Sequence, residues 1–191
     1  MRLAVTGPQN TGKSTYIQDF IEHFPQYQTP QETYRDLIAA QQLEINQKGT
    51  EANQRQIRDF LYNQISTNQK QNIIFDRCVL DNYVYSLALY DEGRASLEFL
   101  NETFNLLLKH LEYLDGLIFI PTAVSVKLSA DGVRDTDVQY IDKINRLFTK
   151  TLFLVAKQIP IELFVITGDR EQRLALSSDI FSYMHYRLRL Q

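Results

Sequence analysis

The chain has 191 residues, about the length of one domain, and a net charge of −3. The slightly acidic balance argues against a basic nucleic-acid binder, and 44% hydrophobic residues argue against wholesale disorder. The single cysteine excludes an intramolecular disulfide and a cysteine-based zinc site, and no apolar run approaches the roughly 20 residues that span a bilayer. We therefore expect one soluble, cytoplasmic domain covering residues 1–191, with no membrane contact.

Short apolar strands alternate with longer helical patterns along the chain. Strands are predicted at residues 3–5, 27–29, 73–75, 117–120 and 161–166. Helices are predicted between them, at residues 13–24, 32–46, 51–67, 79–90, 95–113 and 138–155, and a last one begins near Asp169. Strands that are apolar throughout and separated by helices predict a parallel sheet covered on both faces. Ligands of such sheets bind at the carboxyl ends of the strands.

Residues 7–14 match the phosphate-binding motif G-x-x-x-x-G-K-[ST], between the first predicted strand and the first predicted helix. Glycines at its two ends allow a loop that turns N–H groups toward an anion, and the helix adds its positive dipole end. The lysine would contact the β- and γ-phosphates of ATP, and the serine a bridging Mg²⁺ ion. Binding of ATP and Mg²⁺ is therefore expected at Gly7, Asn10, Thr11, Gly12, Lys13, Ser14 and Thr15.

Two charged pairs follow the second and third predicted strands. Asp76, at a strand end, would hold Mg²⁺ or act as a base, and Arg77 would stabilise the transferring phosphoryl group; an ordinary strand-end ion pair is the alternative. Glu32 and Arg35 are three residues apart, which places them on one face of the predicted helix. They would grip an acceptor, with Glu32 taking its proton, unless they form only a helix-end pair exposed to solvent.

Further candidates lie in loops near the same edge of the sheet. Arg134 is expected to close over ATP as an arginine finger supplied within the chain. A glycine turn followed by a helix cap at Asp135 or Asp137 is the alternative, and both can hold. Gly168 and Asp169 follow the last predicted strand and would lie beside the nucleotide base, or form a turn and a helix cap. Asp81 lies one helical turn after Arg77 and is expected to reach the acceptor pocket.

Taken together, these segments resemble the NadR-like AAA group of small P-loop kinases, with nicotinamide-riboside-kinase-like and deoxynucleoside-kinase-like members. The matching parts are the phosphate loop at 7–15, the Asp-Arg pair at 76–77 with Asp81, the segment 131–134, and the Thr-Gly segment that runs to Arg173. Residues 31–35 are similar to a Pro-Glu-x-x-Arg stretch of that group, with Gln31 in place of proline.

The resemblance implies an α/β fold, a three-layer P-loop NTPase with a five-stranded parallel sheet in the order 2-3-1-4-5. It also implies an acceptor-side helical region at about 31–71 and a lid at about 122–137. ATP and Mg²⁺ would serve as phosphoryl donor and metal, and a nucleoside or nucleoside monophosphate as acceptor. Carried over, the catalytic set is Lys13, Glu32, Asp76, Arg77 and Arg134, the acceptor contacts are Glu32, Arg35, Arg77 and Asp81, and the metal contacts are Ser14 and Asp76. Of the two carboxylates, Glu32 is favoured as the base, because it would lie farther from Mg²⁺ and nearer the acceptor.

Two other functions remain open from the sequence. A kinase of polynucleotide 5′-hydroxyl ends would need a basic channel, which the acidic net charge disfavours. An ATP-switched regulatory module would bind nucleotide and act on no small acceptor. A GTPase switch has no support, because no Asn-Lys-x-Asp segment for guanine is present. A monomer or a homodimer is expected.

Overall fold

The computed structural model describes residues 1–122 and 137–188, together with the side chains in these ranges except those of residues 185, 187 and 188. The strands are β1 (Arg2–Thr6), β2 (Ile73–Asp76), β3 (Gly116–Phe119) and β4 (Glu162–Val165). The helices are α1 (Lys13–His23), α2 (Tyr34–Gln41), α3 (Glu51–Ser66), α4 (Val79–Asp91), α5 (Leu97–Leu111), α6 (Val138–Ala156) and α7 (Arg170–Leu188), with a 3₁₀ turn at Asn46–Lys48. The alternation of strands and helices predicted from the sequence is therefore confirmed.

The four strands form one parallel sheet in the order β2-β1-β3-β4. The predicted strand at residues 27–29 is wrong as a strand, because Gln28 forms only an isolated parallel bridge to Ile73. Proline at position 30 has no N–H to donate, so pairing cannot extend past this point at full strength. The described residues thus give a sheet of four strands, not five, with a single bridge on the outer side of β2.

Helices cover both faces of the sheet, which makes three layers. Successive residues of β1 point to opposite faces: Ala4 packs into the core shared with α3 to α6, while Leu3 and Val5 pack into a second core with α1 and α7. The same alternation continues in β2 and β3. The carboxyl ends of all four strands therefore meet at one edge, where β1 leads into the phosphate loop.

The helix predicted at 32–46 is shorter than expected. Thr33 precedes the helix in an extended conformation, and both its N–H and its hydroxyl donate to Asp36 Oδ2 at 2.7 Å. At the other end Gln42 adopts a left-handed conformation, with φ 52°, and ends the helix. Glu32 consequently lies outside α2, and none of the eight α2 residues is fully buried.

Asp137 caps the long helix α6, where its Oδ1 accepts from Gln139 N at 2.9 Å.

In the part of the chain that the structure describes, no helix combines the length and apolar character needed to cross a membrane.

Candidate active site

The phosphate loop leaves β1 and enters α1 in the conformation that its glycines require. Gly7 has φ 143° and Gly12 has φ 80°, both in the region that side chains disfavour. A Cβ atom at Gly7 would lie 2.3 Å from the carbonyl oxygen of Ile120. Glycine is thus required at position 7 both by its backbone angle and by the nearby carbonyl oxygen of Ile120, the residue after β3.

Lys13 lies folded into the loop and is buried. Its Nζ donates to the carbonyl oxygen of Pro8 and lies 3.3 Å from Thr11 Oγ1. Burial lowers the pKa of Lys13 well below its usual range, and the positive charge of Arg77 acts in the same direction. A bound polyphosphate would oppose both effects and would favour the protonated form of Lys13.

Three side chains from different elements meet beside Lys13. Ser14 Oγ donates to Asp76 Oδ2 at 3.4 Å, and Arg35 Nη2 donates to Ser14 Oγ at 3.2 Å. The other oxygen of Asp76 is buried and has no hydrogen-bond partner among the described residues. A hydroxyl and an unpaired carboxylate oxygen are hard oxygen donors of the kind that Mg²⁺ prefers. The described ranges contain no cluster of three or more metal-ligating side chains, so this pair fits an ion completed by phosphates and water.

Arg77 is held rigidly at the end of β2. It has φ 77°, unusual for a residue with a side chain, and its guanidinium is buried. Nη1 donates to Asp81 Oδ1 at 2.8 Å, and the guanidinium lies over the rings of Tyr34 and Tyr85, at 4.8 and 5.7 Å from their centroids. Burial acts to lower the pKa of Arg77, but the two tyrosines and the nearby carboxylates outweigh it and raise the pKa well above its usual value. The guanidinium therefore stays charged.

Asp81, on α4, links the start of the phosphate loop to the residues that follow β2. Its side chain is 2% exposed, and its two oxygens accept from Thr6 Oγ1 at 2.8 Å, Gly7 N at 3.4 Å, Arg77 Nη1 at 2.8 Å and Cys78 N at 3.2 Å. Burial raises the pKa of this carboxyl, but four donors directed at it favour the ionised form. The oxygens are committed to these contacts, which suits a positioning residue. Asp81 also lines the inner cavity described below, and the acceptor contact expected from the sequence remains a prediction.

The loop after β4 approaches the phosphate loop through Arg173. Its Nη1 donates to the carbonyl oxygen of Thr11 at 2.8 Å, and its Nε donates to that of Gly168 at 2.9 Å. Asp169 Oδ1 accepts from Gln172 N at 3.0 Å, so the helix-cap alternative describes its structural role. Neither Gly168 nor Asp169 lines the cleft described below, and their contact with a nucleotide base remains a prediction.

The phosphate loop, α2 and Arg77 enclose an open space of about 440 Å³, here called the phosphate cleft. Behind it, between α2, α3 and α4, lies an inner cavity of about 40 Å³. Its walls are mainly apolar, and its polar lining includes Gln54 and Asn82, which are joined by an amide hydrogen bond of 2.7 Å. The cleft is lined by Gln9, Asn10, Thr11, Gly12, Lys13, Ser14, Thr15, Tyr34, Arg35, Asp36, Ile38, Ala39, Ile45, Asn46 and Arg77.

The structure brings most of the predicted site residues together. Lys13, Ser14, Arg35 and Arg77 line the cleft, and Asp76 contacts Ser14 at its edge. The expectation that Glu32 and Arg35 share one helical face is wrong, because α2 begins only at Tyr34. Glu32 is exposed, is not among the residues that line the cleft, and its carbonyl oxygen accepts from Gln64 Nε2 at 2.6 Å.

Arg134 and most of the expected lid, residues 123–136, lie outside the described residues. The arginine finger therefore stays a prediction from the sequence.

Three contacts of the site were missed from the sequence. Tyr34 covers Arg77, Tyr85 OH donates to Gln9 Oε1 at 2.7 Å, and Arg173 supports the phosphate loop. The Thr-Gly segment that ends at Arg173 was a usable signal for the third contact. No sequence signal pointed to the roles of the two tyrosines, because an aromatic residue next to a motif is more often part of the core.

Comparison with known proteins places this site in a known fold. The matching family is described as an AAA domain, and its profile covers residues 2–173. A search of curated protein sequences gives no significant match. Among solved structures, deoxyadenosine kinase from M. mycoides with dCMP and a flexible dCDP bound is similar at a TM-score of 0.71 and 16% identity, over 96% of this chain and 100% of that one.

Two further structures share the fold at similarly low identity. NadR in complex with NR has a TM-score of 0.69 and 15% identity, over 96% of this chain and 51% of NadR. YorR from Bacillus subtilis, in complex with phosphorylated GDP, has a TM-score of 0.52 and 15% identity, over 98% of each chain. The chain belongs to the AAA domain family and has the fold of the P-loop kinases that the sequence resembles.

Proposed function

We propose that this protein is an ATP- and Mg²⁺-dependent phosphotransferase whose acceptor is a nucleoside or nucleoside monophosphate. The observation that carries the proposal is the convergence of Lys13, Arg35 and Arg77 on one cleft, with the Ser14–Asp76 pair at its edge. Three cationic side chains and a carboxylate with one unpaired oxygen suit a triphosphate with its metal. Structural neighbours that carry nucleoside or nucleotide ligands support the acceptor class.

The proposed reaction transfers the γ-phosphoryl group of ATP to an acceptor hydroxyl. The acceptor oxygen forms the new P–O bond, the bond between the γ-phosphorus and the β–γ bridging oxygen breaks, and ADP leaves with that electron pair. The hydroxyl proton passes to a carboxylate of the protein. Lys13 and Arg77 balance negative charge that spreads over the phosphoryl oxygens in the transition state.

Ser14 and Asp76 are the residues that would hold the metal. Mg²⁺ held there would neutralise part of the negative charge of the donor phosphates. Occupation of Asp76 on the metal side leaves Glu32 as the proposed proton acceptor. Glu32 is not among the residues that line the cleft, and variants of Glu32 and Asp76 test which carboxylate takes the proton.

Acceptor-dependent release of ADP tests the proposal. Mg·ATP is incubated with single nucleosides, deoxynucleosides, their monophosphates, nicotinamide riboside and a short 5′-hydroxyl oligonucleotide, with Lys13→Ala as the blank. We expect one class of small acceptor to stimulate ADP release and the stimulation to vanish in the blank. Tight ATP binding without stimulation by any acceptor would favour the ATP-switched module. Stimulation by the oligonucleotide alone would favour the polynucleotide kinase.

Glu32→Gln and Asp76→Asn then separate the two carboxylates. A lost general base lowers kcat by about 10²- to 10⁴-fold. We expect this loss in Glu32→Gln at saturating Mg²⁺, whereas Asp76→Asn should also raise the Mg²⁺ concentration needed for half-maximal rate. A kcat in Glu32→Gln close to that of the wild type would move the base to Asp76.

A further inference from the structure

Tyr34 stands between the two spaces of the candidate site. It lines both the phosphate cleft and the inner cavity. At about 40 Å³, the inner cavity has less than a tenth of the volume of the phosphate cleft, about 440 Å³. A planar heterocycle is several times larger than the inner cavity, so no such ring enters the cavity while α2 keeps its present position.

The ring of Tyr34 also covers Arg77. The guanidinium carbon lies 4.8 Å from the ring centroid, within the range of a cation–π contact. The other two supports of Arg77, Asp81 and Tyr85, belong to α4, which starts two residues after Arg77. Tyr34 is therefore the support that comes from a separate element.

That separate element is weakly anchored. None of the eight residues of α2 is fully buried, whereas nine of the thirteen residues of α4 are. The helix is bounded by the Thr33 cap and by the left-handed Gln42. An outward movement of α2 would break the contacts of its partly buried residues Tyr34, Leu37 and Ile38 with the core, but would expose no fully buried α2 side chain.

We propose that Tyr34 is a specificity-determining residue of the acceptor side. Its ring covers Arg77, and the flat ring of a bound acceptor takes the place of the Tyr34 ring there. This inference rests on the proposed kinase function and assigns a residue of this chain to recognition of the acceptor's aromatic heterocycle. The quadrupole of such a ring replaces that of Tyr34 over the guanidinium, so the exchange conserves the cation–π contact. A sugar without a base offers no such replacement and leaves Tyr34 in place.

A tryptophan reporter tests this directly, since the chain contains no tryptophan. Tyr34→Trp places a single indole over Arg77 and keeps an aromatic face there. Tyr83→Trp is the matched control, because Tyr83 packs against Phe104 at 5.1 Å and lines neither space. Emission is recorded on addition of deoxyadenosine, deoxycytidine, nicotinamide riboside or ribose, in parallel with ADP release by the wild type.

We expect at least one of the three ring-bearing compounds to shift the emission of Tyr34→Trp to longer wavelength, with no shift from ribose and none in Tyr83→Trp. In steady-state assays Tyr34→Leu should lower the acceptor KM about tenfold at similar kcat, because the acceptor no longer competes with a ring. Tyr34→Phe should keep the wild-type KM. A merely structural role would lower thermal stability in Tyr34→Leu without lowering KM.

Two failures have different signatures. Stimulated ADP release by the wild type, together with unchanged emission for all three compounds, would overturn the role of Tyr34 and leave the kinase intact. No stimulation of the wild type and no emission change would overturn both. An equal shift with ribose would also overturn the inference, because it would show that no ring is needed.

Discussion

Removal of the Asp81 carboxylate is the perturbation whose cost the structure defines best. Asp81→Ala deletes an acceptor of four hydrogen bonds, including the 2.8 Å bonds from Thr6 and Arg77. It leaves the buried guanidinium of Arg77 without its closest counter-charge. Breaking a buried ion pair by removal of one partner costs about 3–5 kcal/mol.

The expected change is large enough to measure by thermal unfolding. For a chain of this length, 1 kcal/mol corresponds to roughly 2–4 °C in Tm. Asp81→Ala should therefore lower Tm by about 6–20 °C, as measured by far-UV circular dichroism during thermal unfolding. Urea unfolding should show a lower midpoint at an unchanged m value.

The chain offers a matched control in Asp142→Ala. Asp142 pairs with Arg146 at the same spacing of four residues, but the two side chains are 55% and 72% exposed. An exposed pair of this kind contributes about 0–1 kcal/mol, so the control should shift Tm by at most a few degrees. Equal shifts in the two variants would refute the reasoning that burial makes the Arg77–Asp81 pair indispensable.

Three further predictions follow from other parts of the fold. Gly7→Ala should abolish the rise in Tm that Mg·ATP produces, because the new Cβ would lie 2.3 Å from Ile120 O; an unchanged rise would contradict the loop geometry. Arg173→Ala should raise the KM for ATP about tenfold and leave the acceptor KM unchanged, through loss of two charged hydrogen bonds; equal changes in both constants would contradict it. Burial lowers the pKa of His110 to about 3. Because an unfolded histidine titrates near 6.5, the free energy of unfolding should fall as pH drops from about 6.5 toward 3. His110→Asn should flatten that slope, and an unchanged slope would assign it to other groups.

The parts of the site that sequence predicts well are contiguous. The phosphate loop depends on eight neighbouring residues, so its strand, turn and helix follow from local chemistry. The apolar composition of the neighbouring strand segments likewise predicts that they are buried, and most residues of β1, β2 and β3 are buried in the structure. Because these strands end at one edge, the placement of Asp76 and Arg77 near Lys13 was within reach of the sequence.

The parts that failed depend on competing local signals. The apolar spacing near position 32 fits a helix, but Thr33 and Asp36 form a capping box that starts it two residues later. The predicted strand at 27–29 meets a proline at its end and contributes one bridge. In both cases one capping or non-donating residue outweighs the periodicity around it.

Contacts between distant segments were beyond the sequence. Arg173 reaches Thr11 across 162 residues, and Asp81 reaches Thr6 across 75. Each contact depends on how α7 and α4 pack against the sheet. The Thr-Gly segment indicates that Arg173 belongs to the site, but no local pattern identifies its partner. The sequence identified Asp81 as a site residue, but its contacts with the phosphate loop and Arg77 could not be predicted from it.

The central claim is that the phosphate cleft transfers a phosphoryl group to a small acceptor. The most direct measurement follows ATP labelled in its γ-phosphate, with the wild type and Lys13→Ala side by side and the acceptor that best stimulates ADP release. We predict that the label appears in the phosphorylated acceptor in amounts equal to the ADP formed, and that Lys13→Ala yields none. Label recovered only as free phosphate, at a rate independent of the acceptor, would contradict the claim.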